Sequence, residues 1–154
     1  MFQEKFWTHP TADRFLEDIS VDFEAHWEDK CWGRVKHLFY SENCGVSYLE
    51  ATAGWRCSIH RHSFRSNMFV VLDGEVDIEE FQQGNSGGTF PNLKRGIPSF
   101  VQTLTSGGVY EVRASTWHRF SVRACGQIVE VYRPDLGPVR FDDIIRFNEG
   151  GKIE

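Results

Sequence analysis

From about Trp32 onward the chain is a succession of short runs in which apolar and polar residues alternate, and this feature limits its fold most. The runs are "RVKHLFY", "GVSYLEA", "RCSIHRH", "MFVVLDG", "EVDIEEF", "SFVQTLT", "VYEVRA", "HRFSVRA" and "QIVEVYR". Alternation with a period of two marks strands with one buried face. The segments between them, "SENCG", "LDGE", "TSGG" and "RACGQ", have turn chemistry. Asp73-Gly74 predicts a tight hairpin between two of the runs. Many short strands at even spacing predict an all-β sandwich or barrel. One long polar stretch, Gln82 to Ile97, reads as a loop punctuated by Gly and Pro. Residues 1–31 read as a less regular N-terminal extension, with "PTADRFLEDI" as a short helix capped by Thr11 or Asp13. Residues 32–154 read as one domain.

Composition narrows the function classes. A net charge of −5 argues against nucleic acid or an anionic membrane as partner. No run approaches the roughly 18 apolar residues of a membrane span. The start "MFQEKFWTHP" lacks the apolar stretch of a secretory leader, so a cytoplasmic location is expected. Cys31, Cys44, Cys57 and Cys125 form no CxxC pair and are expected to be reduced and mostly buried thiols. Trp7, Phe15, Trp27 and Trp32 make the N-terminal region apolar. They would be covered by the chain's own barrel or by a second subunit, with a homodimer as the default oligomer.

The chemistry concentrates at "GWRCSIHRH". On a regular strand Arg56, Ser58, His60 and His62 share one side. Two imidazoles at i and i+2 project in parallel and can both reach one ion. Exposed histidines on a polar strand would give the same pattern. His118 in "ASTWHRFSV" stands at the head of another expected strand as a third nitrogen donor.

The spacing of Gly54, His60, His62, Asn67 and Gly74, followed far downstream by Gly107 and His118, resembles the two motifs of the cupin family. The resemblance covers roughly residues 46 to 133. It implies a double-stranded β-helix, the jelly-roll barrel. It also implies one divalent transition metal (Zn, Fe, Ni or Mn) on His60, His62 and His118. Asn67 stands where the family most often has a glutamate ligand and would be at best a weak amide-oxygen donor. Arg113, Ser115 and Val122 replace residues usual in the second motif.

"CWGRV", the Gly54-Arg56-Ser58 spacing, Arg65, "WHRF" and the tail "LGPVRFDDIIRFNEGGK" resemble more narrowly the C-terminal cupin domain of type II mannose-6-phosphate isomerases. That family has glutamine at the place of His60 and glutamate at the place of Asn67. The resemblance therefore implies the fold more strongly than the isomerase activity.

Arg56, Ser58, Arg65, Phe69, Tyr110 and Phe120 are the expected substrate-binding residues. Arg56, if interior, would meet an anionic ligand or pair with Glu50, Glu111 or Glu130. Arg65 falls in an expected loop, where it would clamp a ligand or be solvated. Phe69, Val71, Phe120 and Val122 should floor the pocket, Tyr110 and Tyr132 could add hydroxyls, and Trp117 should face away. Three functions follow: a metal-dependent enzyme on a small polar or anionic metabolite such as a sugar phosphate; a three-histidine iron dioxygenase-like enzyme; or a ligand-binding cupin without turnover. No residue is assigned as general base.

Overall fold

A computed structural model describes residues 27–82, 91–140 and 142–153. Eleven strands and one short helix follow in order: β1 Trp27–Lys30, β2 Gly33–Tyr40, β3 Gly45–Ala51, β4 Trp55–Arg56, β5 His60–Arg61 and β6 Arg65–Phe81. Then come α1 Pro91–Arg95, β7 Phe100–Thr105, β8 Val109–Val112, β9 Trp117–Pro134, β10 Ile145–Arg146 and β11 Gly151–Lys152. The expected N-terminal helix, with Trp7 and Phe15, lies outside the described residues. Of the expected loop from Gln82 to Ile97, the described part contains α1. No helix among the described residues is long and apolar enough to cross a membrane.

All pairings are antiparallel, and the two long strands organise them. The first half of β6 pairs with β8 and with the second half of β9, which also pairs with β3. The second half of β6 pairs with β7 and with the first half of β9, which also carries β4 and β5. β6 and β9 therefore each run through both halves of a sheet that curls on itself into a barrel. The all-β jelly-roll expectation holds.

The hairpin expected at Asp73-Gly74 does not form. β6 continues through it, and the matching "RACGQ" turn is likewise the interior of β9. The register between the two strands shifts between Val71 and Asp73, between Asp73 and Glu75, and between Glu75 and Val76. Such bulges bend a strand without ending it. Gly74 has φ of +91°, and a Cβ there would lie 2.5 Å from the Cys125 carbonyl oxygen. Across the bend, a Cβ on Gly126 would lie 2.4 Å from the Asp73 carbonyl oxygen. Two bent backbones cross here, so the glycines mark a corner rather than a chain reversal.

Alternation sets the inner face. In β3, Gly45, Ser47, Leu49 and Ala51 are buried while their neighbours are half-buried. The main core joins Trp32, Val35, Leu49, Phe69, Val71, Val76, Ile78, Leu104, Val112, Phe120, Val122 and Ile128. A second cluster of Ile59, Phe81, Leu93 and Trp117 lies on the other side of β9, where Trp117 was expected to point. All four cysteines are free, but only Cys57 is buried; Cys31 and Cys125 are exposed and Cys44 is intermediate, against the expectation of mostly buried thiols.

Candidate metal centre

His60 on β5 and His118 on β9 are direct partners across the ladder, and His62 follows one residue after β5. Their ring centroids lie 4.5 Å (60–118), 5.2 Å (60–62) and 5.7 Å (62–118) apart. One ligand atom from each lies within 4.8 Å of the others, and all three residues are buried. The sequence thus brought together residues 58 positions apart.

Each ring is held in the same way. Nδ1 of His60 meets the Ser58 carbonyl oxygen at 2.8 Å, and Nδ1 of His118 meets that of Thr116 at 2.9 Å. Nδ1 of His62 meets the carbonyl of Asp143. A carbonyl only accepts, so each Nδ1 carries the proton and each Nε2 keeps its lone pair. This arrangement fixes tautomer and orientation in metal-binding histidines. Burial, with the neighbouring rings and Arg65, holds His60 and His62 well below the usual imidazole range, and burial holds His118 at about 4. All three are neutral near pH 7, the form that binds metal.

The donor set fits an ion on a further observation. His118 Nε2 and Asn67 Oδ1 are buried acceptors with no hydrogen-bond partner. Buried acceptors are costly unless satisfied, and a cation satisfies them. Asn67 is itself buried and its amide nitrogen donates to His62 Nε2 at 3.3 Å. It therefore offers an uncharged amide where a carboxylate would bring charge.

His60 and His62 line a cavity of about 680 Å³ whose lining also includes Ser58, Arg65, Asn67, Phe120, Glu130 and Tyr132. Arg65 is not a solvated loop residue: it begins β6 and is buried. Its Nη1 donates to the Arg140 carbonyl at 2.9 Å, and its guanidinium carbon lies 4.1 Å from the Tyr132 ring centroid. Its Nε has no partner, and it forms no ion pair among the described residues. Ser58 Oγ lies 3.3 Å from His60 Nδ1. Phe69 is fully buried, its ring 6.3 Å from those of both His118 and Phe120.

Three expected binding residues do not line the cavity: Arg56, Tyr110 and Phe69, the last buried behind Phe120. Strand geometry lapses at residues 57–59, so alternation does not carry from Arg56 to Ser58. Cys57 lines the cavity instead, and Arg56 does not. The glutamates considered as its partners are otherwise engaged: Glu50 with Arg34, Glu111 with Arg133 and Ser66, Glu130 with Tyr132. Tyr110 stacks on Phe100 at 5.9 Å, and its hydroxyl donates to Glu80 at 3.0 Å. Burial pushes that phenol up to about 12.

Sequence reasoning assigned no role to Asp143. Its carboxylate accepts from the backbone nitrogens of Ser63 (2.7 Å), Phe64 (2.8 Å) and Arg65 (3.2 Å). Its own carbonyl takes the His62 proton, so this one tail residue places both His62 and Arg65. The Asp-Asp-Ile run in the tail was the available signal.

No protein-family model matches the chain. No curated protein matches it either. Solved structures do. The oxalate decarboxylase of Bacillus subtilis, in its structure at pH 4.6, is 11% identical with a TM-score of 0.62 over 80% of this chain and 30% of that one. The chain thus spans less than a third of that protein's length. KdgF from Halomonas sp. is 14% identical with a TM-score of 0.57 over 79% of this chain and 94% of that one. Another study of the Bacillus decarboxylase concerns its Mn(II) centres. At such identities the likeness speaks for the fold alone, a jelly-roll barrel.

Proposed function

We propose that the chain is a metal-binding cupin that acts on a small anionic metabolite. His60, His62 and His118 would hold one divalent transition metal (Zn, Fe, Ni or Mn), and Arg65 would receive the ligand's anionic group. The observation that carries this reading is the set of three neutral imidazoles, each pinned at Nδ1, two of which line a cavity that also holds the buried guanidinium of Arg65, which forms no ion pair among the described residues.

When bound, the metal supplies a Lewis acid for an oxygen of the ligand. The chain's own residues do the rest. Arg65 neutralises and orients a carboxylate or phosphate through the part of its guanidinium not held by the Arg140 carbonyl. Ser58 offers a hydroxyl beside His60, while Phe120, backed by Phe69, keeps water from the triad. With Asn67 in place of a carboxylate, the donor set carries no charge of its own, which favours an anion.

The finer reading is a sugar-phosphate isomerase-like enzyme. The Gly54–Ser58 spacing, Arg65 and the Asp142–Arg146 tail support it. A dioxygenase-like enzyme is the second reading, favoured by the all-histidine group. Elemental analysis of the purified protein should find about one ion per chain, and the ion's identity separates the two: iron with oxygen uptake supports the second. His62→Ala should lose the ion with the β circular dichroism intact; unchanged metal content would overturn the assignment. Thermal-shift screening against sugar phosphates and small carboxylates tests the ligand class. A ligand at about a hundred times its Kd adds about 2.7 kcal/mol, and Arg65→Gln should lose that gain.

A further inference from the structure

We propose that Arg146 is a second anion-binding residue of this cavity, so that the ligand carries a carboxylate or phosphate at each end, one for Arg65 and one for Arg146. This ligand class rests on the metal-binding reading above and narrows it.

The tail segment that positions His62 and Arg65 also delivers Arg146. β10 lies antiparallel to β5, with Arg146 the register partner of His60 and Ile145 that of Arg61. Directly opposed residues of an antiparallel pair project from the same side of the sheet. Arg146 therefore shares the side of His60, and both line the cavity. The tail is tied down on either side of it. Before it, the Asp143 carboxylate accepts from the backbone of Ser63, Phe64 and Arg65. After it, the Phe147 N–H donates to the Ile59 carbonyl at 2.8 Å, and the Asn148 side-chain oxygen accepts from the Ile59 N–H at 2.6 Å. The backbone of Arg146 is held in place while the residue itself is exposed.

The two guanidiniums reach the cavity from different halves of the curled sheet. Arg146 belongs with β5 and the first half of β9, whereas Arg65 pairs with Pro134 at the far end of β9. A ligand that bridges the halves meets a cation on each. Neither arginine forms an ion pair among the described residues. Of the other charged residues lining the cavity, Lys30 and Glu28 pair with each other, and Glu130 accepts from the Tyr132 hydroxyl. Glu149 is exposed and has no ion-pair partner among the described residues. Even with Glu130 and Glu149 ionised, their charges only offset the two guanidiniums. A divalent ion on neutral histidines then leaves two positive charges for the ligand to meet, which suits a dianion.

The test titrates the full chain, as purified, by calorimetry. The probes are the dicarboxylates from malonate to adipate, the phosphonocarboxylates of matching length, and the monocarboxylates of the same lengths. At least one doubly charged probe should bind about threefold or more tightly than its monoacid, the size expected of one added contact to an exposed cation. Whichever doubly charged series binds more tightly identifies the end group. Arg146→Gln should abolish the preference with monoacid affinity and metal content unchanged, and Arg146→Lys should restore part of it. Salt should shrink the preference, because Arg146 is exposed. An arginine merely solvated at the rim would give no such preference. The proposal is overturned if every doubly charged probe falls below about threefold, or if Arg146→Gln keeps the preference. Protein free of metal, or monoacid binding that survives Arg65→Gln, counts against the reading above. Loss of the preference alone, with metal and Arg65 dependence intact, counts against Arg146. No binding by any probe overturns both.

Discussion

Removing the Asp143 carboxylate tests how the barrel positions its candidate centre. In Asp143→Ala three backbone N–H groups, those of Ser63, Phe64 and Arg65, lose their acceptor. A buried donor left unpaired costs about 1–3 kcal/mol. Ser63 is only half-buried and Phe64 is exposed, so water can replace part of what they lose. Arg65 is buried, and its N–H bears the full cost. The sum is about 3 kcal/mol, read as a shift of the urea unfolding midpoint in protein freed of metal by chelation. Asp142→Ala is the control. Its side chain is exposed and among the described residues reaches only Arg140 at 3.3 Å, so a change within about 0.5 kcal/mol is expected. Because the Asp143 carbonyl also takes the His62 proton, metal affinity measured against a competing chelator should fall by about 10–100-fold in Asp143→Ala. Equal unfolding midpoints for the two variants would refute the reasoning.

The barrel corner makes a sharper mechanical prediction. Gly74→Ala places a Cβ 2.5 Å from the Cys125 carbonyl oxygen at a φ of +91°, so it should cost on the order of 3 kcal/mol. Gly54→Ala, at φ +81° but in open space, should cost only about 1 kcal/mol; equal losses in thermal melts would contradict the crossing-backbone account. Asp135 tests charge. Arg113 and the Ala114 N–H hold its carboxyl down at about 2 from the ordinary 3.8. A folded value below the unfolded one stabilises the protein above about pH 4, and that contribution is lost as pH falls through 2. Carboxyl NMR should show the low midpoint, and Asp135→Asn should flatten the stability profile in that window; a midpoint near 3.8 would refute the pairing.

What was legible in the sequence was whatever is written in side-chain periodicity and in the positions of rare residue types. Eight of the nine strand-like runs lie on strands apart from end residues, the exception being "RCSIHRH", and the motif spacing marked three histidines, His60, His62 and His118, that do converge. Errors came where one local signal serves two geometries. Asp-Gly suits a hairpin because glycine tolerates positive φ, but a strand corner needs the same freedom. Alternation placed Arg56 with the histidines because it assumes an unbroken strand, and the strand lapses at residues 57–59. The long-range contacts had no local signature. Asp143 reaches residues about 80 positions away, across elements whose adjacency only the fold creates.

The same bend that defeated the local reading explains why the cavity has two chemical sides. β9 contributes His118 before its corner and Glu130 and Tyr132 after it; β6 runs the other way, with Arg65 and Asn67 before its own corner. In the first half of β9, β5 lies alongside and supplies His60. In the second half, β3 lies alongside and supplies Ser47. The nitrogen donors of His60 and His118 thus come from one half of the curled sheet, and the carboxyl, phenol and guanidinium from the other. A ligand held between them would face imidazoles on one flank and a carboxyl, a phenol and a guanidinium on the other. Function then depends on the closure of the corner as much as on any one side chain. A substitution at Gly74 that leaves a folded barrel should therefore weaken metal binding measured against a competing chelator, and unchanged affinity would refute this dependence on the corner.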